Sequence, residues 1–183
     1  GRLDRLQQRL TLVFERAQQG HLLQGGLNVV LAGQPNVGKS SLLNRLAGDE
    51  LAIVTPLPGT TRDLVRSTLQ IEGIPLHVID TAGLRATDDQ IEQMGIERTW
   101  REIERADVVV LLVDARVGLD EADRTILSQL PAHLARLTVY NKIDLAAPPV
   151  DSQPPGDVAT ISLSARTGEG VELLRRELLR IVG

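Results

Sequence analysis

Three groups of residues have the types and spacing to do chemistry on a nucleoside triphosphate. The first is Gly33-Gln34-Pro35-Asn36-Val37-Gly38-Lys39-Ser40, which fits G-x-x-x-x-G-K-[ST]. It follows the apolar run 27–32 and opens a helical pattern over 40–46. In that setting the glycines let backbone N–H groups converge on a β-phosphate, and the helix dipole adds to their pull. Lys39 reaches the β- and γ-phosphates, and the Ser40 hydroxyl suits Mg²⁺. Asn36, Val37, Gly38 and Ser41 complete the expected phosphate contacts. The plain alternative is a Gly-rich turn, which the strand–loop–helix context disfavours.

The second group reads a base. Asn141-Lys142-Ile143-Asp144 follows an apolar strand pattern. Both Asp144 oxygens can accept from guanine N1–H and the 2-amino group, a donor pair that adenine lacks. Asn141 can bond the base and brace the phosphate loop, and the Lys142 stem can lie over the ring. Ser164-Ala165-Arg166 follows the last strand, where backbone N–H groups can meet the guanine O6. Found alone, either stretch could be a solvated turn.

The third group would respond to the γ-phosphate. Gly59-Thr60-Thr61-Arg62-Asp63 lies in a Pro/Gly/Thr-rich loop, and Thr61 is the residue chosen to complete a Mg²⁺ shell. Asp80-Thr81-Ala82-Gly83 ends a strand; Asp80 can hold Mg²⁺ through water, and the Gly83 N–H can sense the γ-phosphate. Leu84 follows, where many small GTPases carry a glutamine that orients water. A leucine neither donates nor accepts a hydrogen bond, so hydrolysis would need another group. Glu92 is the first candidate and Asp88 and Asp89 are rivals, although on chemistry alone Glu92 reads more simply as a solvated helix charge. Lys39, Thr61 and Glu92 are thus the candidate catalytic residues.

These residues need a frame. The chain has 183 residues, 42% of them hydrophobic and 24% charged, as expected of one globular domain. Aromatics are 2%, so the core must come from Leu, Val, Ile and Ala. Residues 2–18 show leucines at helical spacing, Gly20 is a plausible stop, and 20–26 read as a linker. Strand patterns at 27–32, 64–72, 74–80, 108–113, 134–140 and 158–163 alternate with helical patterns at 40–46, 90–105, 121–130 and 171–182. The short link at Gly73 predicts one antiparallel hairpin. The rest predicts an α/β fold, a mostly parallel sheet with helices on both faces. Residues 148–156 read as a Pro-rich surface loop.

The absence of cysteine excludes disulfides and Cys nucleophiles, and is compatible with a cytoplasmic setting. A net charge of -4 argues against this segment as a main RNA surface. No apolar run approaches the length of a membrane span, and the start does not read as a signal peptide. Among twenty basic residues only Lys39 and Lys142 are lysines, and both fall in the nucleotide motifs. An Arg-biased composition explains the arginines but not where the lysines remain.

The stretches GLNVVLAGQPNVGKSSLLNRLAG, AIVTPLPGTTRDLV and IPLHVIDTAGLRATDDQIEQMGIER resemble the G domain of the MnmE (TrmE) family of tRNA modification GTPases. The resemblance implies a Ras-like P-loop GTPase fold with six strands and an antiparallel edge strand. It implies GTP and GDP as ligands, with Mg²⁺ at Ser40, Thr61 and Asp80. It also implies K⁺ beside the phosphates, at Asn36, Thr55, Leu57 and Thr60, the Thr55 and Leu57 ligands being backbone carbonyls. The family's catalytic glutamate falls on Glu92. Family G domains form homodimers across the nucleotide face. The whole family protein works with its partner MnmG on the wobble uridine of tRNA, which it would meet through parts outside this chain. Residues 1–19 would be a remnant of the family's helical domain, 20–26 a linker, and 27–183 an excised G domain. A ribosome-assembly GTPase of the Era or Der kind is the alternative, although the basic appendage or second G domain of such proteins is not seen. A membrane transporter's G domain finds no membrane segment to support it.

Overall fold

A computed structural model describes residues 2–48, 66–81, 90–145 and 159–182. Their elements run α1 (Arg2–Gly25), β1 (Leu27–Gly33), α2 (Lys39–Ala47), β2 (Arg66–Ile71), β3 (Ile74–Asp80), α3 (Gln90–Glu104), β4 (Val108–Asp114), α4 (Glu121–Gln129), β5 (Ala135–Asn141), β6 (Ala159–Ser162) and α5 (Val171–Val182). The six strands form one sheet in the order β2-β3-β1-β4-β5-β6. Only the β2–β3 pair is antiparallel. The expected mostly parallel sheet with one antiparallel edge strand is therefore observed.

The near-continuous apolar strands follow from burial on both faces. Side chains alternate along β1: Leu27, Val29 and Leu31 join Leu42 and Leu46 of α2 and Leu174 and Leu178 of α5 in one core layer. Val30 and Ala32 join Ile79, Ile103 of α3 and the residues around α4 in the other. The hairpin turn is Glu72-Gly73, with φ of 50° and 80°. Two successive left-handed residues match the twist of the flanking strands, and Gly73 accepts that conformation without a Cβ penalty.

Two expected boundaries move. The first helix does not stop at Gly20 but runs to Gly25, so the expected linker is largely helical. A single interior glycine costs a helix only about 1 kcal/mol, too little to end it against its neighbours. The break comes at Gly26, at φ +81°, where a Cβ would lie 2.5 Å from the Pro75 carbonyl oxygen. The last strand, described over Ala159–Ser162, ends one residue earlier than expected. The expected loop at 148–156 lies outside the described residues.

Candidate functional site

The parallel strands β1, β4 and β5 end on one edge of the sheet, and the described residues of the phosphate and base motifs gather there. The phosphate loop leaves β1 at Gly33 and enters α2 at Lys39. Its path needs left-handed backbone at Asn36 (φ 65°) and Gly38 (φ 100°). A Cβ on Gly38 would stand 2.3 Å from Asn141 Nδ2, so a side chain is excluded by space as well as by torsion. Gly38 is the N-cap of α2 and supplies no side-chain acceptor. The first-turn N–H groups of α2 thus suit an external anion. Lys39 Nζ donates to the Gly33 carbonyl at 2.9 Å and lies 3.8 Å from Asp80 Oδ1. The exposed Ser40 and Ser41 begin the helix beside it.

Asn141 joins the phosphate loop to the base loop. It is 2% exposed, its amide donates to the Val37 carbonyl at 2.9 Å, and its Oδ1 accepts from the Ala165 N–H at 2.9 Å. Lys142, at φ 69°, donates from Nζ to the Asn36 carbonyl at 2.7 Å. Ser164 Oγ donates to Asp144 Oδ1 at 2.9 Å and accepts from the Thr167 N–H, which fixes the direction of the Asp144 carboxylate. The resulting cleft, about 820 Å³, is lined by Gly38, Ser41, Arg116, Lys142, Asp144 and Arg166, among others. That is large enough for a nucleotide.

Two residues of the predicted motifs make contacts within the frame. Thr81 Oγ1 donates to the Leu31 carbonyl of β1 at 3.2 Å. Ile143 packs against the α3/α4 core layer, and its N–H donates to the Leu163 carbonyl. Thr55, Leu57, Thr60, Thr61, Ala82, Gly83, Leu84, Asp88 and Asp89 lie outside the described residues. Glu92 sits in the first turn of α3, and its side chain is outside the described part.

Several braces were not expected. Gln34 Nε2 donates to Asp120 Oδ1 at 2.9 Å and Asp123 Oδ1 at 3.0 Å, tying the phosphate loop to the capping box of α4. Burial pushes the Asp123 carboxyl up, while the backbone N–H of Asp123 holds the Asp120 carboxyl down. Arg45 donates to the carbonyls of Ala165 and Arg166, and Arg175 to those of Arg45 and Leu46. Asp114 ends β4 and holds Arg116 through two side-chain bonds. Part of its signal is legible in the sequence: an acid closing the apolar run 108–113.

The donor set fits a Mg²⁺-nucleotide: a glycine-cleared loop, a lysine, a hydroxyl at the helix start, and an acid at the end of β3. A cleft of this kind at the carboxyl edge of a doubly covered sheet defines a P-loop nucleotide-binding protein. Residues 28–142 match the family model described as 50S ribosome-binding GTPase, and the chain belongs to that family of GTP hydrolases. The chain is also similar along its whole length to proteins named tRNA modification GTPase MnmE. It is 67% identical to that of Dechloromonas aromatica over 183 residues, covering 100% of this chain and 41% of the relative. Against that of Nitrosomonas europaea it is 60% identical over 181 residues, covering 99% and 40%. The chain thus spans about two fifths of the length of these curated relatives.

Among solved structures, Aquifex aeolicus Era bound to GDP·AlF4⁻ superposes with a TM-score of 0.65 at 28% identity, over 85% of this chain and 56% of that one. The G domain of the T. maritima FeoB iron transporter gives 0.63 at 26%, over 86% and 99%. The fold is the Ras-like GTPase fold shared by these neighbours.

Proposed function

We propose that this chain is the G domain of a tRNA modification GTPase. It binds Mg²⁺-GTP, hydrolyses it to GDP with K⁺ beside the phosphates, and pairs with a second copy across the nucleotide face. The observation that carries this reading is the likeness to MnmE proteins, 67% identical over 183 residues. In the whole protein, pairing would drive modification of the tRNA wobble uridine together with MnmG, in the cytoplasm. Residues 1–19 would belong to the helical domain of that larger chain.

Lys39 and the N–H groups at the start of α2 would bind and orient the phosphates, and Ser40, Thr61 and Asp80 would hold Mg²⁺. Asn36, with Thr55, Leu57 and Thr60, would hold K⁺. A monovalent cation there supplies positive charge against the charge that develops during phosphoryl transfer. Glu92 would position the attacking water, a role that Leu84 cannot fill. The Era-type reading draws on the matched family description and on the Era superposition. It is the weaker one, because identity to MnmE proteins is more than twice that to Era.

GTP turnover measured in KCl and in NaCl, with the mass of the GDP·aluminium fluoride complex, tests the proposal. Turnover should be faster in K⁺ by about tenfold or more. The mass should double in K⁺ alone. Glu92→Ala should lower turnover by about a hundredfold while leaving GDP affinity intact. Equal rates in both salts would sink the K⁺ assignment, and a joint fall of rate and affinity would make Glu92 structural.

A further inference from the structure

Register places Asp114, the last residue of β4, directly beside Asn141 on β5. The residue after Asn141 is Lys142, whose backbone is left-handed at φ 69°. The Lys142 side chain runs along the cleft, and its head meets two acceptors: the Asn36 carbonyl at 2.7 Å and Asp114 Oδ2 at 3.4 Å. Asp114 is itself tightly oriented. Its Oδ1 accepts from the Arg116 N–H at 2.9 Å and from Nε at 3.1 Å, and its Oδ2 accepts from Nη2 at 2.7 Å. Both side chains at the bridge are largely buried, Asp114 at 14% exposed and Lys142 at 24%, while Arg116 is half exposed on the cleft wall.

We propose that Asp114 is a positioning residue for the base slot: its carboxylate, clamped by Arg116, pins the head of Lys142 and so fixes the stem on which guanine lies. This inference rests on the guanine reading of the cleft. One carboxylate stands between two cations that would otherwise repel each other across a few ångströms. Without its charge, Lys142 keeps one neutral acceptor, and its long stem regains rotamer freedom that the base must then restrict. Asp114 touches neither the phosphates nor the reacting atoms, so its effect belongs to binding and is the same for GDP and GTP. A brace for the turn at Arg116 alone would stabilise the fold without reaching the nucleotide.

The test is a double-mutant cycle of Asp114→Asn and Lys142→Met, read as the Kd of N-methylanthraniloyl-GDP and of GTP by competition. Asp114→Asn alone should raise both Kd values by the same factor, about five- to tenfold, and leave kcat at saturating GTP within about twofold. In the Lys142→Met background it should add less than about twofold, because the group it positions has lost its charge. Asp114→Glu keeps the charge but displaces it by a methylene. It should lose less than Asp114→Asn, and it carries the cycle if the asparagine variant does not fold. Equal losses in both backgrounds, or a lower melting temperature with unchanged Kd, would overturn the proposal. A wild-type chain that binds ADP as well as GDP would instead overturn the guanine reading.

Discussion

At the scale of single residues, the cleft is specified by groups whose orientation is fixed by hydrogen bonds within the protein. Asn141 donates to the Val37 carbonyl and accepts from the Ala165 N–H at once. Asp144 has one oxygen held by Ser164 Oγ and is aimed by that bond. An amide in place of the carboxylate would present a donor where guanine also presents one. Asp144→Asn should therefore weaken GTP on the order of a hundredfold and improve binding of xanthosine triphosphate, whose 2-oxo group accepts. Competition titrations of the two nucleotides measure this, and unchanged GTP affinity would refute the base assignment.

At the scale of elements, α2 is the part that carries the phosphate chemistry, and it is fixed at both ends. Its start is pressed against Asn141 through Gly38, where a Cβ has no room. Its end is held by Arg175 of α5, which donates to the Arg45 and Leu46 carbonyls at 3.1 and 3.3 Å. Arg45 in turn holds the Ala165 and Arg166 carbonyls of the base loop. Without Arg175, the Arg45 and Leu46 carbonyls at the end of α2 would need water or a cap. Arg175→Ala should lower unfolding free energy by about 1 kcal/mol, the low side for charge-assisted bonds because the contact is partly exposed. A denaturant midpoint that does not move would show that solvent replaces this donor without loss.

At the scale of the molecule, the sheet and its four covering helices form the body, and the first part of α1, residues 2–14, is exposed. Leu3, Leu6, Leu10, Val13 and Phe14 are each more than half exposed, Leu3 at 77%. An apolar stripe that buries so little area contributes little to stability. Removing residues 1–14 should shift the melting temperature by no more than about 2 °C, since a change of 1 kcal/mol moves a domain of this size by only a few degrees. A fall of ten degrees would show that α1 packs on the body in solution.

The sequence by itself determined the local chemistry and most of the elements. A short link at Gly73, apolar strands closed by Gly33, Asp80 and Asn141, and a lysine followed by a hydroxyl at the start of a helix are all short-range facts. Torsional limits, periodicity and side-chain chemistry act over a few residues, so they can be read in order along the chain. The end of the first helix escapes such a window for the same reason: Gly20 is a weak breaker on its own, and the close approach of Gly26 to Pro75 ends the helix from across the fold. Tertiary structure alone decided which partners meet at long range. Gln34 finds Asp120 and Asp123, Arg45 finds Ala165, and Asp114 finds Lys142 only because the sheet order sets β1, β4 and β5 side by side. Pairing across the sheet depends on register and packing of the whole chain, and no window of sequence contains it.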